Sequence, residues 1–335
     1  MIINIVGYYD SNFGDLLMLQ GIINNLPSRF NKVNILSYGN LDVNKLSISH
    51  NAEICTHNIK MSLVKLAMLH KEADVLMWGG GSCFNDVDGT GGVKQFLFAK
   101  IVNPKIKIVY YGVGIDIKHN IKNYVLLKTV LLICSKFAVR DVKSYEIVKN
   151  YNCSELIDDP IYLNKRWLDN VKSKRSPHKL FLSYRCVNDY YPKTYSIYID
   201  SFVSNIMNLL KKINYKNVCI ISGDEKVDNN DNKFIYKAIT NTFTDVEVVF
   251  KNTSLVDTCR EIKSSSLVIT GRLHIAVIAS YYNVPFFLLN YSEKNKQFVA
   301  KERRGHLVEY ESMQDKEYLS KCVISNMYYN DNSNE

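Results

Sequence analysis

The sequence predicts an α/β chain built from two doubly wound parallel-sheet domains that face a cleft. Three observations predict it. Short β-branched runs alternate with helix-period stretches along the whole length. Those runs are apolar on both faces, as strands covered by helices on both sides are. The chain also has 335 residues, 47% hydrophobic and 22% charged, enough to bury two cores. Strand–helix alternation of this form builds parallel sheets, here twice over.

In the first half the strand runs are Ile2–Val6, Val33–Ser37, Asp74–Trp78, Ile106–Tyr111 and Lys136–Val139. The second half repeats the rhythm at Lys179–Tyr184, Val218–Ser222, Val246–Phe250, Leu267–Thr270 and Phe286–Leu289. Helical period is carried by Asp15–Leu26, Ser196–Ile213, Ser254–Lys263 and Leu273–Tyr282. A break after Asp159-Pro160 divides the chain into a first domain at 1–163, a linker at 164–178 and a second domain at 179–327. The linker stretch lacks an apolar period and gathers Lys165, Arg166, Lys172, Lys174, Arg175 and Lys179. It reads as a solvated connection or as a strip facing an anion or a membrane. The polar tail from Tyr328 to Glu335 is expected to fray.

Composition narrows the partners. With 15 Gly and 6 Pro the chain is neither collagen-like nor low-complexity. The net charge of +9 is spread: 18 basic against 14 acidic residues up to residue 165, and 24 against 19 beyond it. No basic arm of the kind that grips nucleic acid is present, whereas a mild positive field favours anionic substrates or a lipid surface. The N-terminus reads as a strand and not as a signal peptide, and no apolar stretch is long enough to span a membrane. Eight scattered cysteines without a Cys-x-x-Cys read as reduced, mostly buried thiols. The expected location is cytoplasmic, including the inner face of the membrane.

In doubly wound folds ligands sit beyond the carboxyl ends of strands, so the residues that follow each strand carry the chemistry. After the first strand, Gly7-Tyr8-Tyr9-Asp10-Ser11-Asn12-Phe13-Gly14-Asp15 runs into a helix. Asn12 or Asp15 caps that helix or touches a ligand, at comparable odds. The dinucleotide fingerprint is absent, and Asp15 would repel a phosphate, so a sugar hydroxyl suits this turn better. Gly79-Gly80-Gly81-Ser82 and Gly112-Val113-Gly114 follow later strands and imply close backbone approach to a ligand or a neighbouring helix. Arg140-Asp141 is a structural ion pair or an anion site.

The sharpest signal is Gly271-Arg272-Leu273-His274, between the Leu267–Thr270 strand and an apolar helix. A strand end that meets a helix N-terminus favours anions. Arg can clamp a carboxylate or phosphate, and His can move a proton near neutral pH. Arg185 and Lys294, from neighbouring loops, would complete a cationic pocket. No metal-ligand spacing, Walker loop or nucleophile elbow is present, so no metal or other cofactor is called for.

Taken together these motifs resemble the polysaccharide pyruvyl transferases. The matching pieces run in order: Gly7-Tyr8-Tyr9 with Asn12-Phe13-Gly14-Asp15-Leu16, then Gly79-Gly80-Gly81-Ser82, Gly112-Val113-Gly114 and Arg140-Asp141 with Ser144. Asp159-Pro160, Gly271-Arg272-Leu273-His274, and Tyr291 with Lys294 and Phe298 complete the set. Gly271 departs from the pattern, because many members place Met between Gly and Arg.

The resemblance implies a GT-B-like pair of Rossmann-like domains and phosphoenolpyruvate as co-substrate. It puts Arg272, Leu273 and His274 at the donor site, with Arg140 or Arg185 as a second arginine and Gly271 and Lys294 alongside. A glycan or lipid-linked oligosaccharide would be the acceptor; the stretches Phe84–Gly92 and Cys186–Tyr195 follow no family pattern, and the candidate contacts, read from the residues themselves, are Asn12, Asp15, Gly80, Gly81, Ser82 and Asp86. In that reading His274 is the general acid–base, and Asp15 or Asp86 orients or deprotonates the acceptor hydroxyl. The competing expectation is a glycosyltransferase of the same architecture using a nucleotide-sugar donor. Glu293 is then the one acid placed to hold a ribose.

Overall fold

The computed structural model describes residues 1–86, 89–117, 119–251 and 254–331, with side chains through residue 325. Residues 87, 88, 118, 252 and 253 and the last four of the tail therefore lie outside the described residues. The chain divides into two compact units, Met1–Asn170 and Val171–Glu335.

The first unit holds strands β1 (Ile2–Gly7), β2 (Lys32–Ser37), β3 (Glu53–Asn58), β4 (Val75–Asn85), β5 (Lys107–Asp116), β6 (Lys136–Val139) and β7 (Ser154–Leu156). Its helices are α1 (Phe13–Asn24), α2 (Leu63–Glu72), α3 (Val93–Val102), α4 (Ile121–Ile133), α5 (Val142–Val148) and α6 (Lys165–Asp169). The strands form one sheet in the order β3-β2-β1-β4-β5-β6-β7, parallel throughout. Trp78, Phe84, Phe96, Tyr110 and Phe137 fill the core between that sheet and the layer of α2 to α5.

The second unit holds β8 (Lys179–Ser183), β9 (Asn217–Ile221), β10 (Glu247–Lys251), β11 (Leu267–Thr270), β12 (Phe286–Asn290) and β13 (Gly305–Glu309). Its helices are α7 (Tyr195–Lys212), α8 (Asn229–Thr242), α9 (Leu255–Ser264), α10 (Leu273–Tyr281), α11 (Glu293–Val299) and α12 (Tyr318–Asp331). The order β10-β9-β8-β11-β12-β13 is again parallel throughout. In both sheets the order reverses beside the first strand, at β1/β4 and at β8/β11. Doubly wound sheets bind ligands at that crevice.

Several sequence expectations shift. Strands β3, β7 and β13 were not anticipated. Each lies at or beside a sheet edge and is only partly covered, so none shows a run that is apolar on both faces. Gly79–Ser82 and Gly112–Gly114 are not loops after strands; they lie inside β4 and β5. Gly80 and Gly81 have φ of 84° and 81°, and Gly112 has φ of 66°, values that side-chain-bearing residues rarely adopt. A Cβ on Gly112 would stand 1.9 Å from Pro160 Cγ, and one on Gly80 would stand 2.9 Å from Met18 Sδ. These glycines let α1 and the Pro160 turn press onto the sheet.

The stretch expected to be a linker is divided. Asn164 donates to Leu17 O at 2.8 Å and accepts from Gln20 Nε2 at 3.0 Å, both buried bonds, so the chain through Asn170 belongs to the first unit. Within the second unit Arg175 donates to the Tyr282 and Asn283 carbonyls, and Lys179 pairs with Glu261. The basic stretch is thus not a uniform patch. No disulfide forms among the described residues; Cys83, Cys219 and Cys259 are buried, and the other five cysteines are only partly covered.

Candidate functional site

At the carboxyl edge of the second sheet, Gly271 and Arg272 link β11 to α10, His274 lies in the first turn of α10, and Arg185 lies just beyond β8. The strands are neighbours, so the order reversal brings the four residues together. The turn is locked by Gly271 N and Thr270 Oγ1, both donating to Ser183 O, and by Arg272 N donating to Thr270 Oγ1 at 2.9 Å. Gly271 is needed sterically: a Cβ there would stand 2.7 Å from Arg185 Cβ and 3.0 Å from its backbone nitrogen. Arg272 occupies the N-cap position of α10, Leu273 and His274 open its first turn, and both are half-buried. Lys294 is the second residue of α11, which follows β12 on the far side of β11.

The two arginines differ in what holds them. Arg272 is buried, and its Nε and Nη2 each donate at 2.7 Å to the two oxygens of Asp228. That carboxylate, fully enclosed, also accepts from Cys186 N and Asp224 N. Burial alone would lower the Arg272 guanidinium pKa; the Asp228 charge outweighs it and raises the pKa. The expected free clamp is therefore half committed: one edge of the fork is bound to protein, and Nη1 makes no hydrogen bond among the described residues.

Arg185 has no carboxylate partner among the described residues. Its guanidinium carbon lies 4.1 Å from the Tyr291 ring centroid and 5.3 Å from that of Tyr190. Its Nη2 reaches Tyr190 OH at 3.4 Å, and its Nε is buried without a partner. Ser183 Oγ and Ser222 Oγ, at the ends of β8 and β9, are likewise buried and unpartnered. Buried polar groups are ordinarily satisfied, so these unpartnered atoms at the strand ends stand out.

Sequence reasoning missed Asp228 and Tyr190, and it named Tyr291 as part of a motif without placing it against Arg185. A signal for the first existed: Ser222-Gly223-Asp224 follows β9, the strand beside β8. Gly223 is where the Arg272 stem passes, 2.6 Å from a would-be Cβ.

In the first unit the expected site residues are occupied with the fold. Asn12 caps α1, accepting from Gly14 N at 2.9 Å and Asp15 N at 3.4 Å. Asp15 lies in the first turn of α1, its Oδ1 3.6 Å from a would-be Cβ on Gly81. Asp86 accepts from His119 N and Asn120 N, tying the end of β4 to the start of α4. Ser82 lies in β4, its Oγ 3.7 Å from a Cβ position on Gly114.

Arg140 and Asp141 are not an ion pair with each other. Arg140 Nη1 bonds Asp159 at 2.7 Å, while Asp141 caps α5 through Ser144 N and Oγ. Tyr9 is buried and donates to Gly79 O at 2.8 Å, and burial pushes its phenol well up. Tyr8, half exposed, stacks on Tyr38 with ring centroids 4.7 Å apart. Among the described residues no group of His, Cys, Asp and Glu is arranged to hold a metal ion, and no helix is long and apolar enough to cross a membrane.

The family model for polysaccharide pyruvyl transferases matches residues 12–293. The chain belongs to that family. It is therefore a transferase, and the matched span takes in most of both units. No curated protein matches the chain in sequence.

Solved structures resemble it at low identity. A UDP-GlcNAc 2-epimerase from Methanocaldococcus jannaschii has a TM-score of 0.62 at 12% identity, covering 96% of this chain and 92% of that one. The UDP-GlcNAc 2-epimerase from Neisseria meningitidis, solved with UDP-GlcNAc, has a TM-score of 0.61 at 12% identity, covering 98% and 93%. The ADP-heptose LPS heptosyltransferase II of E. coli has a TM-score of 0.52 at 13% identity, covering 98% and 100%. These likenesses establish the fold, two Rossmann-like halves of the GT-B-like class, and nothing about the ligand.

Proposed function

We propose that this transferase moves pyruvate from phosphoenolpyruvate onto a pair of sugar hydroxyls, forming a cyclic ketal and releasing inorganic phosphate. The observation that carries the reading is the Arg185 cation, held by two tyrosine rings with no acid to neutralise it among the described residues, beside the half-committed fork of Arg272. Two cationic groups and a helix N-terminus at one strand edge suit a ligand carrying both a carboxylate and a phosphate.

The chemistry assigns roles. A proton delivered to the methylene carbon of phosphoenolpyruvate leaves an oxocarbenium-like centre at the adjacent carbon. Two hydroxyl oxygens bond to that carbon, and its bond to the phosphate oxygen breaks. Of the two hydroxyl protons, one restores the acid and the other leaves with phosphate. His274 is the proton donor and acceptor. Arg185 and the Nη1 edge of Arg272 take the carboxylate and phosphate, with Lys294 alongside. Asp228 sets the orientation of Arg272. On the acceptor side Asp15, half-buried beside Gly81, or Asp86, at the end of β4, orients or deprotonates a hydroxyl. A glycan acceptor follows from the family; the phosphoenolpyruvate donor, metal independence and a cytoplasmic setting belong to this reading.

Thermal unfolding with phosphoenolpyruvate tests it, because a ligand that binds only the folded state raises stability by RT ln(1 + [L]/Kd). A rise that disappears in Arg185→Ala is expected. The fold neighbours include enzymes of UDP and ADP sugars, so a nucleotide-sugar panel is the counter-test. A rise with one of those alone would make this chain a glycosyltransferase. His274→Ala should keep the phosphoenolpyruvate shift and lose about 10²–10⁴-fold in turnover. Wild-type turnover in that variant would remove His274 from the proton-transfer role.

A further inference from the structure

The helical layer α2, α3 and α4, on one face of the first sheet, presents an unusual outer surface. Outward positions on a water-facing layer normally carry charge. Here the most exposed large apolar side chains among the described residues are Leu63, Val64, Ile101, Ile121 and Leu132, from 70% exposed for Leu63 to 80% for Leu132. All five lie on these three helices.

Their spacing makes a face. In α4, Ile121, Val125, Lys128 and Leu132 recur every three or four residues outward, while Asn123, Leu127, Val130 and Leu131 are buried. In α2 the same spacing exposes Val64, Met68 and Lys71 over a buried Leu66. The helices are neighbours, α2 packing on α3 and α3 on α4.

Charge on this layer has one sign. Across α2, α3 and α4 the sequence carries Lys65, Lys71, Lys94, Lys100, Lys122 and Lys128 against the single acid Glu72. Aliphatic side chains set among lysines match the acyl boundary and headgroups of an anionic bilayer. A contact between two copies of this chain would bring like charges together.

We propose that the α2–α3–α4 face docks the protein on an anionic lipid surface. The aliphatic residues enter the interface and the lysine ammonium groups meet lipid phosphates. The contact is peripheral, since no described helix can span the bilayer. It is independent of the donor assignment, because none of these residues belongs to the proposed site.

The test is flotation of the full chain with two kinds of vesicle: phosphatidylcholine alone, and an equimolar mixture of phosphatidylcholine and phosphatidylglycerol. Binding is expected to the mixed vesicles only, weakening as salt rises. The combined substitution Val64→Glu, Ile121→Glu and Leu132→Glu should reduce it by about tenfold or more. Lys65→Gln with Lys122→Gln and Lys128→Gln should do the same. Both variants alter exposed positions, and unchanged circular dichroism and melting temperature verify that they fold. No flotation, equal flotation on both vesicles, or indifference to both variants would overturn the proposal. So would a wild-type dimer that the glutamate variant splits, which would make this face a subunit contact.

Discussion

The two sheet edges use charged residues in opposite ways. In the first domain Asn12 caps a helix, Asp86 gathers backbone amides, and Arg140 is paired with Asp159. In the second domain Arg272 is anchored on Asp228, but Arg185 beside it is left with two aromatic faces and a buried, unpartnered Nε. The difference teaches that a charge at a strand end is no sign of function by itself. What matters is whether the fold has already neutralised it, because an uncompensated cation retains its full capacity for an anionic ligand.

The largest expected effect separates the two arginine–aspartate pairs. Arg272→Ala leaves Asp228, fully enclosed, as a buried unpaired carboxylate. Urea unfolding should then show a loss of about 3–5 kcal/mol. Arg140→Ala should cost clearly less, because the Asp159 side chain is 18% exposed and can be rehydrated. Equal losses would break the comparison. Replacing Arg272 and Asp228 together by Ala should recover part of the stability while phosphoenolpyruvate binding stays weak.

Two glycines sharpen it next. Gly271→Ala drives a methyl group into Arg185 Cβ and its backbone nitrogen. The displaced cation should cost about tenfold or more in kcat/KM for phosphoenolpyruvate. Gly114→Ala is the control in the first domain, since its Cβ would meet nothing closer than 3.5 Å. An unchanged kcat/KM in Gly271→Ala would mean that Arg185 need not stand where it does.

A pH dependence, confined to the first domain, closes the comparison. His70 is buried with Asn4 Nδ2 on its Nδ1, and burial pulls its pKa from 6.5 down to about 4. Between those values the unfolded chain holds the extra proton. Stability from the neutral ring is therefore complete above about pH 6.5 and is lost as pH falls toward 4. The loss should be on the order of 3 kcal/mol by pH 4. Melting curves of the wild type and His70→Gln over that range check it, and the variant should show the flatter slope.

Much of this was legible in the residues. The runs Lys136–Val139 and Leu267–Thr270 coincide with β6 and β11, because strands covered on both faces need uninterrupted apolar side chains. Gly271-Arg272-Leu273-His274 stood out because a strand must stop there and a helix start. The strand edges β3, β7 and β13 were invisible for the converse reason: partly covered strands tolerate polar residues and lose the pattern. The glycines of β4 and β5 read as loops because sequence conveys that a backbone is free of side chains, not which neighbour needs the room.

By itself the sequence determined the two doubly wound halves, the ordered family motifs and the strand ends where chemistry collects. Those follow from local period and turn chemistry, which act over a few residues. Only the tertiary structure decided which charges remain available. Arg272 and Asp228 are 44 positions apart, and Arg140 meets Asp159 instead of its neighbour Asp141. Parallel sheets join strands through crossovers of a dozen residues or more. A side chain's neutralising partner is therefore set by strand order, which no local pattern encodes.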